Sequence, residues 1–256
     1  MKSPLKYSEN HISALPTIKK LVPEGSVVDS YLFYSGELEF ALCNSKRFIS
    51  AHTSKYVIYE FWQCALEDSF SLYEMVTSKQ VSRIIDKSTF HILQENWPKY
   101  PDPYLRSALF FMLNRYSNSG LISSGDFNKK FFNPVSISYL RNFYVENFHL
   151  EHDSGKDICS IAKTIVGSGN YHLFPLGKFN YNLFDDGKSY GLEQYKINHR
   201  KLFDIIKEKN FKWIALYKPH AYVFSLYSKF NIKMTDKNGN LTTNKNNCED
   251  IIVTNF

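Results

Sequence analysis

The sequence predicts an α/β protein in which a Rossmann-like, mainly parallel sheet is interrupted by a mainly helical insert. Three observations lead there. Apolar strand-like runs alternate with helix-period segments at both ends of the chain, the pattern of βαβ units. The middle third reads as helices punctuated by prolines. The 256 residues, 43% hydrophobic and 22% charged, carry enough apolar surface to order one large unit or two modest ones, which excludes wholesale disorder and a disulfide-stapled peptide.

Taken in order, Ala14–Leu21 has helical spacing and ends at the breakers Pro23, Glu24 and Gly25. Val27 and Val28 start a strand that runs into the turn Tyr34-Ser35-Gly36, Leu38–Leu42 is a helix, and Arg47–Ala51 a second strand. Lys55–Leu66 is helical, and from Phe70 to Pro98 a polar helical pattern has a broken apolar face of Val81, Ile84, Ile85 and Ile92. After the punctuation Pro98–Pro103, Tyr104–Asn114 is the clearest amphipathic helix of the middle region. Turn formers at Ser123-Ser124-Gly125-Asp126 lie between two short segments that are expected to pair as a β-hairpin. Ile137–Phe148 is a helix leading into a strand. The last third alternates again: helix Asp157–Val166, strand Gly169–Phe174, a polar loop from Lys178, helix Leu192–Lys209, strand Lys212–Tyr217, helix Tyr222–Phe230, a polar loop Thr235–Asn247 and a closing strand Asp250–Thr254. The sheet is expected from 1–58 and 149–256, and the insert from 59–148.

Lys and Arg outnumber Asp and Glu by 31 to 25, a net charge of +6 that permits a polyanionic partner without requiring one. The aromatic share is high at 16%, and with so many Lys and Asn it fits the codon bias of an AT-rich genome. Cys43, Cys64, Cys159 and Cys248 are far apart and form no metal-binding pair, so reduced thiols are expected. The opening MKSPLKYSENHISALPTIKK has no apolar run, and no stretch of about 18 apolar residues occurs, so a soluble cytoplasmic protein is expected. His149, Glu151, His152 and Asp153 are metal-ligand types, but on a strand the two imidazoles point to opposite faces, and Asp185-Asp186-Gly187-Lys188 lacks the further oxygens of a calcium loop. No metal site is expected.

Laid end to end, the segments resemble the Dam-type adenine-specific DNA methyltransferases, which move a methyl group from S-adenosylmethionine to the exocyclic amine of adenine. Leu5-Lys6-Tyr7, Leu15-Pro16-x-Ile18 and Pro23 resemble the family's N-terminal segment. Val27-Val28-Asp29 through Gly36 stands where it carries a glycine-rich cofactor loop. Asn114-Arg115, Ser119-Gly120-Leu121 and Gly125-Asp126-Phe127-Asn128 resemble its target-recognition signature, and Glu249–Asn255 its final strand. The resemblance implies a class I methyltransferase sheet, an insert that reads DNA, and cofactor contacts at Tyr7, Phe33, Gly36 and His52.

The departures fall on the chemistry. Phe33 and Tyr34 are bulky where the loop needs glycine, and His52 stands where an acid should accept hydrogen bonds from the ribose hydroxyls. The catalytic Asp-Pro-Pro-Tyr is Phe174-Pro175-Leu176-Gly177, which lacks both the acceptor side chain and the stacking ring that hold a flipped adenine. The family's N-terminal Lys is His11. These four losses imply a catalytically impaired pseudoenzyme with no cofactor, acting on duplex DNA or on a protein partner, for instance as the inactive subunit of a methyltransferase complex. Part of the aromatic excess is then expected to fill an emptied pocket. Two alternatives stay open: an active S-adenosylmethionine-dependent enzyme with a divergent pocket, and a pure protein-interaction module. Arg115, Asn118, Asn128, Lys129 and Lys130 are the expected DNA contacts, small polar groups for base edges and cations for phosphates.

Overall fold

The computed structural model of the chain describes residues 2–8, 10–78, 81, 86–122, 125–167, 169–178 and 197–256. Among these, seven strands form one mixed sheet: β1 (Val27–Ser30), β2 (Phe48–Thr53), β3 (Phe148–His152), β4 (Tyr171–Gly177), β5 (Lys212–Tyr217), β6 (Asn231–Thr235) and β7 (Asp250–Thr254). Their order is β3-β2-β1-β4-β5-β7-β6. The first five are parallel, and β7 runs antiparallel to both β5 and β6. This is a Rossmann-like doubly wound sheet.

Burial explains the composition of the strands. β4, β5 and β7 are covered on both faces and read as nearly continuous apolar runs, whereas the edge strand β6 alternates and exposes Asn231 and Lys233. The flanking helices are α1 (Leu15–Leu21), α2 (Glu37–Cys43), α3 (Tyr56–Thr77), α4 (Lys87–Asn96), α5 (Pro103–Tyr116), α6 (Pro134–Arg141), α7 (Ile158–Thr164), α8 (His199–Ile206) and α9 (Ala221–Leu226). Their starts follow capping chemistry. Asp102 accepts from the Leu105 N–H at 2.6 Å ahead of Pro103, and Asn133 and Ser136 form a reciprocal capping box around Pro134.

Helices α3 to α6 come between β2 and β3. The expected boundary at 58/59 falls in the first turn of α3, which bends at Asp68, where the backbone leaves helical geometry. On α3, Phe61 stacks on Phe110 of α5 at 5.2 Å, while Trp62 meets Phe33 at 5.6 Å and Phe40 at 5.0 Å beside the sheet. One hydrophobic cluster therefore runs from the sheet into these helices.

Three elements differ from the expectation. β6 takes up Asn231–Met234, to which the sequence assigned no element, and Thr235 of the expected loop, because pairing with β7 satisfies its backbone. Of the expected hairpin, the described residues show one antiparallel bridge, Ser117 to Phe127, and the tip at 123–124 lies outside the described residues. The helix expected over Leu192–Lys209 is described as His199–Ile206, its first residues lying outside the description, as do Ile84, Ile85 and the Asp185–Lys188 turn.

Candidate functional site

In an open α/β sheet, ligands bind beyond the carboxyl ends of the strands, where the strand order reverses. Here that point lies between β1, whose neighbours run towards β3, and β4, whose neighbours run towards β6. A cleft of about 430 Å³, counting the part open to solvent, is found there. Tyr7, Asn10 and His11 of the N-terminal segment, Glu37 and Glu39 of α2, and Pro175 of β4 line it, with Tyr34 and Ser35 of the loop after β1. Gly36 begins α2 at φ 70°, and a Cβ there would overlap the Phe40 ring, so the turn requires glycine.

Beside the cleft, aromatic rings bridge the strand ends. Tyr31, directly after β1, stacks on Phe174 of β4 at 4.9 Å and on His52 of β2 at 4.9 Å. Phe174 is fully buried, and so is Leu176. Asp153 fixes the far side of His52 at 3.2 Å, with Glu151 at 3.6 Å. The Tyr31 hydroxyl meets His172 Nδ1 at 3.1 Å, and burial together with Asp29, Asp153 and Glu151 pushes its pKa far above the usual tyrosine value. Phe33 lies elsewhere, packed among Phe40, Trp62 and Phe148 in the apolar layer.

The N-terminal segment is strapped across this region. Asn114, fully buried on α5, accepts from the Lys6 N–H at 2.7 Å and donates to the Lys6 carbonyl at 2.8 Å and the Gly120 carbonyl at 2.7 Å. Arg115 donates to the Pro4 carbonyl at 2.7 Å, and burial draws its pKa down to about 10 against the pull of Glu37. Tyr34 donates to the Gly120 carbonyl at 2.9 Å and meets Tyr7 edge to face at 5.0 Å. Gly120 holds φ 85°, and a Cβ there would strike the Lys6 backbone. Lys6 donates to the carbonyls of Ser117 and Asn118 and lies 3.3 Å from the centre of the Phe131 ring; burial first, and Arg115 second, bring its pKa to about 8. The expected Asn-Arg pair thus serves as a clasp that joins the strap to the 117–120 loop.

Other expected DNA contacts lie on the adjoining segment. Asn118 is exposed and pairs with Asp126 through backbone and side chain, and the Asn128 side chain caps a short helical turn by accepting from the Lys130 N–H at 3.0 Å. Lys129 and Lys130 are exposed on that turn. Of the five, Arg115 is turned inward, while Asn118, Lys129 and Lys130 face solvent.

Sequence reasoning missed a buried charge network behind the cleft. Asp250, with no exposure at all, accepts from His11 Nδ1 at 2.8 Å, from Lys218 at 2.9 Å and from Ser13. His11 Nε2 lies 3.2 Å from the Gly177 N–H, which donates to it. Burial works against the Asp250 charge, but His11 and Lys218 outweigh it and hold its pKa below the usual value. Burial likewise opposes the Lys218 charge, and Asp250 and Glu249 reverse the effect. His11 and Asp250 are 239 positions apart, and no local signal joins them.

Gly177, at the end of β4, adopts φ 62° next to a register shift against β5. Among the described residues, no group of three or more His, Cys, Asp and Glu side chains is placed to hold a metal ion, and no helix is long and apolar enough to cross a membrane. His149 is exposed, and His152 stacks on Tyr59 at 5.2 Å. Compared with protein-family models and with curated proteins, the chain matches none.

Proposed function

We propose that this chain is a methyltransferase-like pseudoenzyme that binds duplex DNA. The observation that carries the reading is the Phe174-Tyr31-His52 stack across the ends of β4, β1 and β2. In the resemblance, those strand ends supply the catalytic acceptor and the ribose acceptor. Here they supply rings that stack on one another, with the imidazole tied to Asp153. Phe174 has neither an oxygen to polarise an amine nor exposure to reach one. The mixed, mainly parallel sheet supports the same reading, since the resemblance implies a Rossmann-like sheet. If S-adenosylmethionine bound, Tyr7, Gly36 and His52 would be the residues left to hold it, and it would supply the methyl group. The residues present do not fit it, because the ribose acceptor is an imidazole already engaged.

The DNA face is the exposed turn at Lys129 and Lys130 with Asn118 beside it, held on the rigid clasp of Asn114 and Arg115. Lysines at such a position neutralise phosphates and a small amide reaches base edges. The experiment is duplex binding measured against salt: the reading expects affinity to fall as salt rises, and no binding at low salt would refute the DNA half of the proposal.

A further inference from the structure

We propose that β3 is a self-association edge, through which two copies of this chain join in an antiparallel, two-fold extension of the sheet. β3 ends the strand order, and among the described residues no strand pairs with it on the side away from β2. The ladder to β2 runs from the Ile49 N–H, which donates to the Asn147 carbonyl, to the Asp153 N–H, which donates to the Thr53 carbonyl. Parallel pairing alternates, so the backbones of His149 and Glu151 turn to β2 and those of Phe148, Leu150 and His152 turn outward. An outward row of N–H and C=O groups is a template for another strand.

The sequence of β3 selects a second copy as that strand. Laid antiparallel to itself about Leu150, the strand sets each His149 opposite the other copy's Glu151 and each Phe148 opposite the other copy's His152. Residues opposite one another share a face, and those whose backbones do not bond across, here His149 and Glu151, bring their side chains closest. His149 is 73% exposed and Glu151 48%, and within one chain they lie 3.7 Å apart, so two copies form one alternating row of imidazoles and carboxylates. An imidazole has an N–H to give a carboxylate in either protonation state. Aromatic rings flank both ends of the edge: Tyr56, 55% exposed, meets His152 edge to face at 5.7 Å, and Tyr144, 70% exposed, stands just ahead of the strand. Antiparallel pairing brings the Tyr56 end of one copy to the Tyr144 end of the other, which adds apolar area to the contact. The opposite edge of the sheet lacks this match. β6 laid against itself puts Lys233 against its own copy, and Leu241 already bridges to Thr235 at its end.

The inference requires neither DNA nor a cofactor, so its failure and that of the DNA-binding reading are separate results. The test is sedimentation equilibrium of the full chain between about 10 μM and about 1 mM, where a short edge contact is expected to give a dimer with a Kd on the order of 100 μM. His149→Glu sets carboxylates opposite one another and should weaken the dimer about fivefold or more, and Glu151→Lys should do likewise by removing the acceptor. Combining the two places Glu opposite Lys again and should restore the parent Kd to within about twofold. Circular dichroism should show all three variants folded, because both side chains reach solvent. Amide hydrogen exchange on the unmodified chain is the second readout: raising the concentration should slow Phe148, Leu150 and His152 and leave His149 and Glu151, already bonded to β2, unchanged. A chain that stays monomeric to about 1 mM, a dimer that His149→Glu leaves intact, a double variant that is not restored, or exchange that slows nowhere along β3 would overturn the proposal.

Discussion

Replacing Asn114 by alanine should loosen the N-terminal strap, and the size of the effect follows from its geometry. The substitution removes three short hydrogen bonds made by a fully buried side chain, at 2.7, 2.8 and 2.7 Å. At about 1 kcal/mol net per bond the loss is about 3 kcal/mol, with more added where the Lys6 N–H and carbonyl are left without partners. The Gly120 carbonyl keeps its bond from the Tyr34 hydroxyl, which limits the cost there. For a chain of this size, about 3 kcal/mol lowers Tm by roughly 6–12 °C. Asn114→Asp is a sharper probe, because a carboxylate still accepts from Lys6 N–H but faces two carbonyl oxygens in place of donating to them. It should cost at least as much as alanine. Thermal unfolding followed by near-UV circular dichroism gives the Tm, and amide hydrogen exchange reports the strap through the Ser8 N–H, which donates to the Ser119 carbonyl at 3.2 Å. A Tm drop under about 2 °C in both variants, with unchanged exchange at Ser8, would refute the clasp.

Three further outcomes follow from the same geometry. Lys129→Ala combined with Lys130→Ala should weaken duplex binding uniformly across sequences and reduce the salt slope by about 1.8, at about 0.9 for each phosphate no longer neutralised, as read by fluorescence anisotropy at several salt concentrations. Gly36→Ala must adopt a left-handed φ of 70° with its methyl against Phe40, so it should destabilise the fold by about 2 kcal/mol or more, read from the denaturant midpoint. The Asp250 carboxyl has a folded pKa below its unfolded value, so its stabilisation is present above about pH 4 and is lost as the pH falls through the folded pKa. Acid titration should therefore show a steeper loss of stability below about pH 4 in the parent than in Asp250→Asn, which should itself be about 3 kcal/mol less stable at neutral pH.

The parts of the fold carried by local pattern were legible. β5 and β7 are apolar runs bounded by breakers, and their ends match the expectation to the residue, because strands covered on both faces leave no ambiguity of period. β6 was not legible: Asn231-Ile232-Lys233-Met234-Thr235 is short and polar, and it becomes a strand only because β7 offers an edge. The hairpin expectation is met among the described residues by a single antiparallel bridge, since turn residues specify a reversal but not how many residues pair across it. At the site, bulk at 174 and the missing acid at 52 were visible as departures from a motif. Their stacking through Tyr31 was not, because it depends on three strands meeting. Arg115 was readable as a cation near a recognition signature, yet its partners are the carbonyls of residues 3 and 4, over 110 positions away. Glu39 was hidden inside an apolar helix segment whose spacing says only that one face is buried.

The most direct test of the pseudoenzyme reading is calorimetric titration of the full chain with S-adenosylmethionine. With the Phe174-Tyr31-His52 stack filling the strand ends, binding should be absent or no tighter than about 1 mM. A Kd in the micromolar range would contradict it, showing that the rings yield to the cofactor and that the chain belongs with the active alternative.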